Sequence, residues 1–336
     1  MRRMCTVLVS LALVIAVGGC DAAVRQQQAA EQRVAAQGPP PPGRIPQSCT
    51  VGGHAPKIGI IPINLQALFF NQINTGAQRV ADQVGAQAQI VNGNDDSTVQ
   101  ANAIDDLVAN GYNAIIVDAV DTDGIKPAIR RANAAGVPVV AVDATVHDPA
   151  VSAQVGTANS AGGKQLAQAL LGISGGQGEI GVVSALNSTI QLERQKGFTD
   201  EVTAHGMRIG TVVDGRNVQE NAQAAAENLL TGNPTLPYAY ATGEPALIGL
   251  AAAVSSQGRT NQIKVVGWDL SAQAMDGLRA GWIKAVVQQN TFQFGYESMA
   301  AAIDLACGRP VPRDIPVPTQ IVTPDNVGQY LYYMER

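Results

Sequence analysis

The chain is poor in the residue types that usually carry catalysis or bind metals. Its 336 residues include three histidines and four cysteines, and no cluster of histidine, cysteine or carboxylate side chains has the spacing of a metal site. No Gly-x-Ser-x-Gly elbow occurs, and the glycine-rich stretch 172–178 lacks the Gly-Lys-Ser/Thr ending of a phosphate-binding loop. These absences predict a protein that is not an enzyme and holds neither a metal nor a cofactor.

An excess of positive charge and a long apolar run are absent as well. The formal net charge is −5, which argues against nucleic acid as a partner because phosphate binding needs a basic face. The apolar run at residues 7–17 is shorter than the roughly 20 residues that a membrane-spanning helix needs.

The N-terminus has the layout of a signal peptide. Two arginines precede the apolar run, and small residues then lead directly to Cys20. A cysteine after two glycines resembles a bacterial lipobox, so we predict a signal peptide over residues 1–19 and a lipid on Cys20; an ordinary secreted protein with an incidental cysteine is the alternative. Residues 20–55, rich in glutamine, alanine and proline, predict a disordered lipidated tether on the extracytoplasmic face of the cytoplasmic membrane.

From Lys57 onward, short β-branched runs alternate with helix-period segments such as Phe70–Val84. Several runs are apolar at successive positions, which is typical of parallel strands buried on both faces. This alternation predicts an α/β fold, and the strand count favours two doubly wound lobes over a single barrel. The strand candidates are Ile58–Ile63, Ala88–Val91, Ala114–Asp118, Val137–Asp143, Ile180–Ser184, Ile209–Val213, Tyr238–Thr242, Ile263–Asp269 and Ile283–Gln288.

Polar and aromatic side chains stand at the carboxyl ends of the predicted strands, where ligands of such sheets bind. They are Phe69, Phe70, Asp118, Asp143, Asp269 and Gln289. Carboxylates and amides can bond hydroxyl groups, and aromatic rings can cover a C–H face. The set therefore predicts a polyhydroxylated ligand.

Each of these residues also has a structural interpretation. Phe70 fits the apolar stripe of its helix, whereas Phe69 fits that stripe less well. Asp118 is interpreted as a helix N-cap and Asp143 as a ligand contact. Trp268 is either part of the cleft or an indole packed beside a solvated carboxylate.

With these residues placed, the chain from Lys57 to about Val327 resembles the ribose-type sugar-binding proteins of ABC importers, which have the type I periplasmic binding protein fold. The stretches that carry the resemblance are Phe69-Phe70, Val139–Asp143, Gly162-Gly163-Lys164, Glu193-Arg194 with Gly197-Phe198, Val265–Asp269, Gln289 and Val322–Val327. The resemblance implies a monomeric, non-catalytic receptor. Two lobes joined by three crossovers close around one small carbohydrate, and the closed form docks on a membrane permease with its ATPase.

The resemblance also implies lobe boundaries and site residues. The first lobe is expected over residues 56–157 and 290–314, and the second over 158–289 and 315–336. The expected ligand-binding residues are Phe69, Phe70, Asp143, Gln191, Asn217, Glu244, Trp268, Asp269 and Gln289.

Four positions depart from the ribose-binding pattern. Where that pattern has two cleft arginines, this chain has Ala144 and Leu192. Where it has two cleft asparagines, this chain has Gly243 and Ala67. Loss of two guanidinium groups leaves the carboxylates less compensated and the pocket larger and less polar. We therefore expect a pentose, hexose or polyol other than ribose, or a less polar relative, with Gln191 and Glu244 taking over some contacts.

A disulfide follows from the family's topology. Cys49 precedes the first strand, and Cys307 ends the helix Tyr296–Ala306, which that topology returns to the same lobe. Both thiols are expected at the pole away from the cleft, in an oxidising compartment, as a Cys49–Cys307 disulfide.

Three other functions compete with this one. Asp143 and Asp269 can be imagined as a glycosidase pair. The effector domain of a sugar-responsive repressor has the same fold, but it follows a DNA-binding helix-turn-helix where this chain has a signal and a tether. An extracytoplasmic ligand sensor for a membrane receptor kinase is the alternative that the sequence does not separate from transport.

Overall fold

Two six-stranded sheets, each covered by helices on both faces, form the computed structural model, which describes residues 38–334. The first sheet has the spatial order β11-β5-β4-β3-β1-β2, and all of its neighbouring strands are parallel. Its strands are β1 Lys57–Ile61, β2 Gln87–Ile90, β3 Ala114–Val117, β4 Val139–Val142, β5 Val151–Thr157 and β11 Asp314–Val317.

The second sheet repeats this order as β12-β10-β9-β8-β6-β7, with only the edge strand β12 antiparallel to its neighbour. Its strands are β6 Glu179–Ser184, β7 Arg208–Asp214, β8 Tyr238–Ala241, β9 Lys264–Trp268, β10 Ile283–Gln288 and β12 Gln320–Val322. The predicted α/β fold with two doubly wound lobes is confirmed.

The helices connect successive strands. They are α1 Leu68–Val84, α2 Ser97–Ala109, α3 Lys126–Ala134, α4 Asn159–Ser174, α5 Thr189–Ala204, α6 Gln219–Gly232, α7 Glu244–Ser256, α8 Ala272–Arg279, α9 Thr291–Ala306 and a final 3₁₀ helix, Val327–Met334.

Each sheet is buried on both faces, which explains the unbroken apolar runs. Successive side chains of a strand point to opposite faces, so Ala114 and Ile116 of β3 join one core while Ile115 and Val117 join the other. All four residues are fully buried. Removing a side chain such as isoleucine from water contributes roughly 1.5–3 kcal/mol, so these runs supply much of the stability.

Three strands were not among the predicted ones. β5 alternates buried and half-buried residues and includes Ser152 and Gln154, so it lacks the apolar run that identified the others. The edge strands β11 and β12 are four and three residues long, and β11 contains Pro316. Short edge strands of this kind give little periodic signal.

The chain passes between the lobes three times. The passages lie between Thr157 and Asn159, between Gln288 and Thr291, and between Val317 and Gln320. The third passage differs from the expected lobe boundary at 314/315, because residues 314–317 pair with β5 in the first sheet.

The C-terminal 3₁₀ helix contacts both lobes, although residues 315–336 were assigned to the second. Tyr332 and Tyr333 belong to the apolar core of the first lobe and pack near Phe292, whereas Val327 is part of the core of the second. Gln72 of α1 donates a hydrogen bond to the Tyr333 carbonyl over 2.7 Å. The tail is therefore a further link across the hinge.

Residues 38–55 also differ from expectation, since the tether was predicted to be disordered through residue 55. The Tyr296 hydroxyl donates to the Pro40 carbonyl over 2.7 Å, and Arg44 forms an ion pair with the buried Asp304. Such backbone and ionic contacts leave no apolar signature in a sequence.

Cys49 and Cys307 form a disulfide, with Cα atoms 6.2 Å apart, which ties this N-terminal segment to the end of α9. The predicted signal peptide and the predicted lipidation site Cys20 lie outside the described residues. Within residues 38–334, the helices are too short or too polar to cross a membrane.

Candidate ligand-binding cleft

The carboxyl edges of the two sheets face one another across a cleft. The links Thr157–Asn159 and Gln288–Thr291 leave one and two residues between elements, so the carboxyl ends of β5 and β10 lie directly beside the opposite lobe. Loops that follow the other strands must then line the space between the lobes.

Strained backbone marks the same edges. Among residues 38–334, all six non-glycine residues with positive φ follow the carboxyl ends of strands, and two of them are Asp143 (φ 57°) and Asp269 (φ 66°). The others are Asn94, Asp95, Arg216 and Asn217. Aspartate and asparagine tolerate this left-handed conformation better than most residues, and such positions cluster at functional sites.

A chain of hydrogen bonds joins the lobes at the base of the cleft. Thr157, at the end of β5, donates from its hydroxyl to Gln289 Oε1 over 2.7 Å. Gln289 Nε2 in turn donates to both carboxylate oxygens of Asp269, over 2.9 and 3.0 Å. Asp269 and Gln289, both expected in the site, are thus held together, one on the second lobe and one in a crossover.

Arg194 of α5 lies in the cleft although it was not among the expected ligand residues. Its side chain is 6% exposed, and its Nη1 lies 3.7 Å from Asp269 Oδ2. Its Nε donates to Asn159 Oδ1 over 2.9 Å, and its guanidinium carbon lies 4.1 Å from the centre of the Trp268 ring. Although two arginines of the ribose-binding pattern are missing, Asp269 thus keeps one guanidinium group nearby.

A close glycine contact between α4 and α5 sets the position of Arg194. A Cβ on Gly163 would lie 2.2 Å from the Arg194 carbonyl oxygen, and one on Gly197 would lie 2.1 Å from the Ser160 carbonyl oxygen. Both helices approach within backbone contact because these residues lack side chains. Glu193-Arg194 and Gly197 were visible in the sequence as a family stretch, but only the packing shows where the guanidinium points.

Trp268 lies in the core rather than on the surface of the cleft. It was expected to contact ligand, but its side chain is fully buried, and its indole N–H donates to the Tyr240 hydroxyl over 3.1 Å. It is the last residue of a strand that is apolar and buried after Lys264, so it continues the core, and its ring packs against the Arg194 guanidinium.

Gln191 fills the space beside Gly243, where ribose-binding members have an asparagine. A Cβ at Gly243 would lie 2.8 Å from the Gln191 amide. That amide donates to Asn217 Oδ1 over 2.6 Å and accepts from the Thr242 hydroxyl over 2.6 Å. The structure thus brings two expected residues, Gln191 and Asn217, into one hydrogen-bonded group, with the exposed Glu244 beginning the next helix.

Phe69 and Phe70 occupy different positions on the first lobe. Phe69 packs against the apolar core, with its ring 6.3 Å from that of Phe294. Phe70 meets Phe69 edge to face at 5.4 Å and lines a small cavity with Asn74 and Asp118.

Asp118 does not cap a helix, contrary to the sequence interpretation. Helix α3 begins at Lys126 with Ile125 in the cap position, and its first turn has no side-chain cap. Asp118 is instead 2% exposed, and neither of its carboxylate oxygens has a hydrogen-bond partner. The turn is organised by Asp121, whose carboxylate accepts from the backbone N–H groups of Asp123 and Gly124.

The carboxyl groups of both lobes influence one another. Burial raises the pKa of Asp143 to about 6, with Arg194 opposing and Asp269 adding to the rise. Burial likewise raises the pKa of Asp269, against the effects of Arg194 and Gln289. Glu244 is exposed to solvent, but reduced hydration inside the cleft, with Asp269 nearby, raises its pKa to about 7.

Apolar side chains surround the cleft. Leu65 and Val120 on the first lobe are each 40% exposed, in loops that follow β1 and β3. Leu186, Leu192 and Val218 on the second are 47%, 39% and 44% exposed, around the ends of β6 and β7. Leu192, at the position where the ribose-binding pattern has an arginine, is one of these exposed apolar side chains.

A groove of about 660 Å³ lies elsewhere, between β2 and α2 on the outer side of the first lobe. It is lined by Lys57, Gln89, Asp106 and neighbouring residues, and includes none of the residues expected to bind ligand. The cleft is the candidate site, because the residues with positive φ, the buried polar groups and the two-lobe contacts are there.

Comparison with known proteins fits this geometry. The sequence profile of the family described as periplasmic binding protein domain matches residues 58–310. The chain belongs to this family. It is 27% identical over 270 residues to the ribose import binding protein of Bacillus subtilis, covering 79% of this chain and 87% of the relative.

Further family members extend the range of relatives. The D-apiose import binding protein of Actinobacillus succinogenes is 27% identical over 252 residues, or 73% of this chain and 80% of the relative. The arabinose binding protein of Geobacillus stearothermophilus superposes with a TM-score of 0.76 at 20% identity, covering 81% of this chain and 98% of its own. An Actinobacillus succinogenes solute binding protein with bound D-allose gives 0.74 at 21% identity, covering 82% and 100%. The resemblance drawn from the sequence is confirmed, and these solved structures support the fold.

Proposed function

We propose that this family member is the substrate-binding protein of an ABC importer that captures a small carbohydrate by lobe closure and delivers it to a membrane permease. The observation that supports the proposal most is the Thr157–Gln289–Asp269 chain of hydrogen bonds, which holds the Asp269 carboxylate at the hinge between the lobes. A ligand that bonds both lobes there shifts the population toward the closed form by its difference in affinity for the two forms.

Ribose is not the proposed cargo. The ribose-binding pattern has arginines at the positions of Ala144 on the first lobe and Leu192 on the second, so this cleft has fewer hydroxyl-binding donors than that pattern. The ribose-binding pattern has an asparagine at the position of Gly243, and here the Gln191 side-chain amide lies beside that position instead. We therefore expect the site to accept a carbohydrate whose hydroxyl groups are arranged differently from those of ribose.

We extend the proposal to location. The signal-like N-terminus with Cys20 supports a lipid anchor on the extracytoplasmic face of the membrane. We further propose that the protein is a monomer without catalytic activity. Because residues 38–55 pack on the first lobe, 18 residues, 20–37, separate Cys20 from it, and a stretch of that length reaches at most about 60 Å. Mass spectrometry of the membrane-associated protein tests the lipid on Cys20, and an unmodified thiol there contradicts it.

Binding measurements test the function. Isothermal titration calorimetry of the purified protein against neutral pentoses, hexoses and polyols should show selective binding of a carbohydrate other than ribose. Asp269→Asn removes the charged acceptor at an unchanged backbone, and should weaken that binding about 10- to 150-fold. Asp276→Asn, on the exposed side of α8, is the matched control and should leave binding unchanged. Micromolar or tighter ribose binding contradicts the cargo assignment, and an unaffected Asp269→Asn variant contradicts the site.

A further inference from the structure

Three side chains form one hydrogen-bonded group where the carboxyl ends of β6, β7 and β8 lie side by side in the second sheet. Gln191 stands in the first turn of α5, which follows β6, while Asn217 follows β7 and Thr242 follows β8. The Gln191 amide donates to Asn217 Oδ1 and accepts from the Thr242 hydroxyl, over 2.6 Å in each case. The group therefore reaches across three neighbouring strand ends at the cleft.

The Thr242 hydroxyl sets the direction of these hydrogen bonds. Thr242 is fully buried, and within residues 38–334 the one hydrogen-bond partner of its hydroxyl is Gln191 Oε1. The hydrogen of a buried hydroxyl needs an acceptor, so it is donated to Gln191. The oxygen of the Gln191 amide therefore faces Thr242, and its nitrogen faces Asn217.

Gly243 leaves the space in which the Gln191 amide is held. Gln191 is 5% exposed, and a Cβ on Gly243 would lie 2.8 Å from both its Cδ and its Nε2 and 3.0 Å from its Oε1. The amide thus fills the volume that a side chain at position 243 would need. Because it is packed there and bonded at both of its polar atoms, its orientation is fixed.

Asn217 carries this fixed orientation to the edge of the cleft. It is exposed, in the left-handed backbone conformation with φ 59°, and its Oδ1 is occupied by the bond from Gln191. The two N–H donors of its Nδ2 have no acceptor within residues 38–334. The second-lobe wall therefore offers donors at the end of β7, and carboxylate acceptors at Asp269 near the hinge.

Resting on the carbohydrate-binding function proposed above, we infer that Gln191 is a positioning residue and that Asn217 donates to the ring or glycosidic oxygen of a cyclic sugar. Either oxygen accepts hydrogen bonds and has no hydrogen of its own to place. Leu192 and Val218, the chain neighbours of Gln191 and Asn217, are 39% and 44% exposed and offer no side-chain acceptor for a hydroxyl hydrogen. An open-chain polyol, whose oxygens are all hydroxyl groups, fits this end of the wall less well.

The positioning role can be tested without a ligand. Nuclear magnetic resonance relaxation of the isotope-labelled Asn217 side chain should show an ordered amide in the wild-type protein. Gln191→Met keeps the approximate shape but removes both hydrogen bonds, and should make this amide mobile. Gln223→Met, on α6 where the Gln223 amide donates to Glu227, is the matched control and should leave Asn217 ordered.

Gly243→Ala provides a second readout if Gln191→Met does not fold. Alanine adopts the extended backbone at this position, and its methyl group should displace the Gln191 amide and so release Asn217. An Asn217 amide that is already mobile in the wild type, or that stays ordered in these variants, overturns the positioning role.

Calorimetry tests the oxygen to which Asn217 donates. The probes are D-glucose, D-galactose and D-xylose, each with its methyl glycoside and its open-chain alditol. For a sugar that binds, the methyl glycoside should bind within about threefold of it, and the alditol at least about tenfold more weakly. Asn217→Asp keeps the oxygen that Gln191 bonds but replaces the donor nitrogen, and should weaken sugar binding about tenfold. Asn102→Asp, on the exposed face of α2, adds the same charge and should leave binding unchanged.

The outcomes separate the two proposals. If an alditol binds within about threefold of its sugar, or a methyl glycoside binds more weakly than that, the oxygen assignment is wrong while the carbohydrate function stands. Unchanged sugar binding by Asn217→Asp overturns the donor role of Asn217. If a well-folded protein binds no sugar, glycoside or alditol of the panel, both proposals are wrong.

Discussion

Asp143 makes the stability of the ligand-free protein depend on pH in a way that can be calculated. Its pKa is raised from 3.8 to about 6 in the folded state, mainly by burial. Between these two values the folded protein binds more protons than the unfolded chain, so the free energy of unfolding falls as pH rises through that window. Well below pH 3.8 the group is protonated in both states, and above about pH 7 the full penalty of the buried charge is present.

The magnitude follows from the width of the window. About two pKa units correspond to about 3 kcal/mol over the whole range, of which about 1.4 kcal/mol lies between pH 5 and pH 7.5. Burial raises the pKa of Asp118 well above its usual range, and the nearby charge of Asp143 adds to this rise, so Asp118 acts in the same direction. Wild-type protein should therefore be less stable at pH 7.5 than at pH 5, by at least about 1 kcal/mol from Asp143.

Urea denaturation of the ligand-free protein at the two pH values provides the assay, with Asp143→Asn as the comparison. Asparagine tolerates the left-handed backbone at this position, so the variant changes charge without adding backbone strain. Contributions of other titrating groups largely cancel between the two proteins. The variant should gain stability relative to wild type as pH rises from 5 to 7.5. A stability difference between the two proteins that does not change with pH would refute the reasoning.

Two further predictions concern packing and covalent stability. Gly163→Ala, whose methyl group would lie 2.2 Å from the Arg194 carbonyl oxygen, should destabilise the protein by about 1–3 kcal/mol and weaken carbohydrate binding, as measured by urea denaturation and calorimetry. Gly172→Ala, in the same helix with open space around it, is the control and should be neutral or stabilising; equal effects of the two would contradict the close helix contact. Replacing Cys49 and Cys307 with serine should lower the free energy of unfolding by about 2–4 kcal/mol without changing ligand affinity, and an unchanged stability would show that the disulfide contributes nothing.

The fold was predictable because parallel strands that are buried on both faces have unbroken apolar runs in their sequence. Runs such as Ile-Ile-Val at β3 and Val-Ala-Val at β4 must be apolar on both faces, and the polar residues that follow them stand at the carboxyl edge by topology alone. Asp143, Asp269 and Gln289 were found in this way. β5 was missed because its polar positions interrupt the run.

The site was predictable only in part, because side-chain direction depends on packing. Arg194 points into the cleft because α4 and α5 meet at glycine residues, a contact that no local pattern specifies. The apolar run of β9 was the available signal that Trp268 belongs to the core. For Asp118, a cap was inferred from its position after a strand, but seven residues separate it from the start of α3.

The C-terminal 3₁₀ helix has a practical consequence for building a fluorescent biosensor. Because Tyr332 and Tyr333 pack on the first lobe while Val327 is held in the second, a reporter attached behind Met334 is mechanically coupled to the relative motion of the lobes. A reporter inserted at Gly175, in the exposed turn after α4, is carried by the second lobe alone and serves as the internal reference.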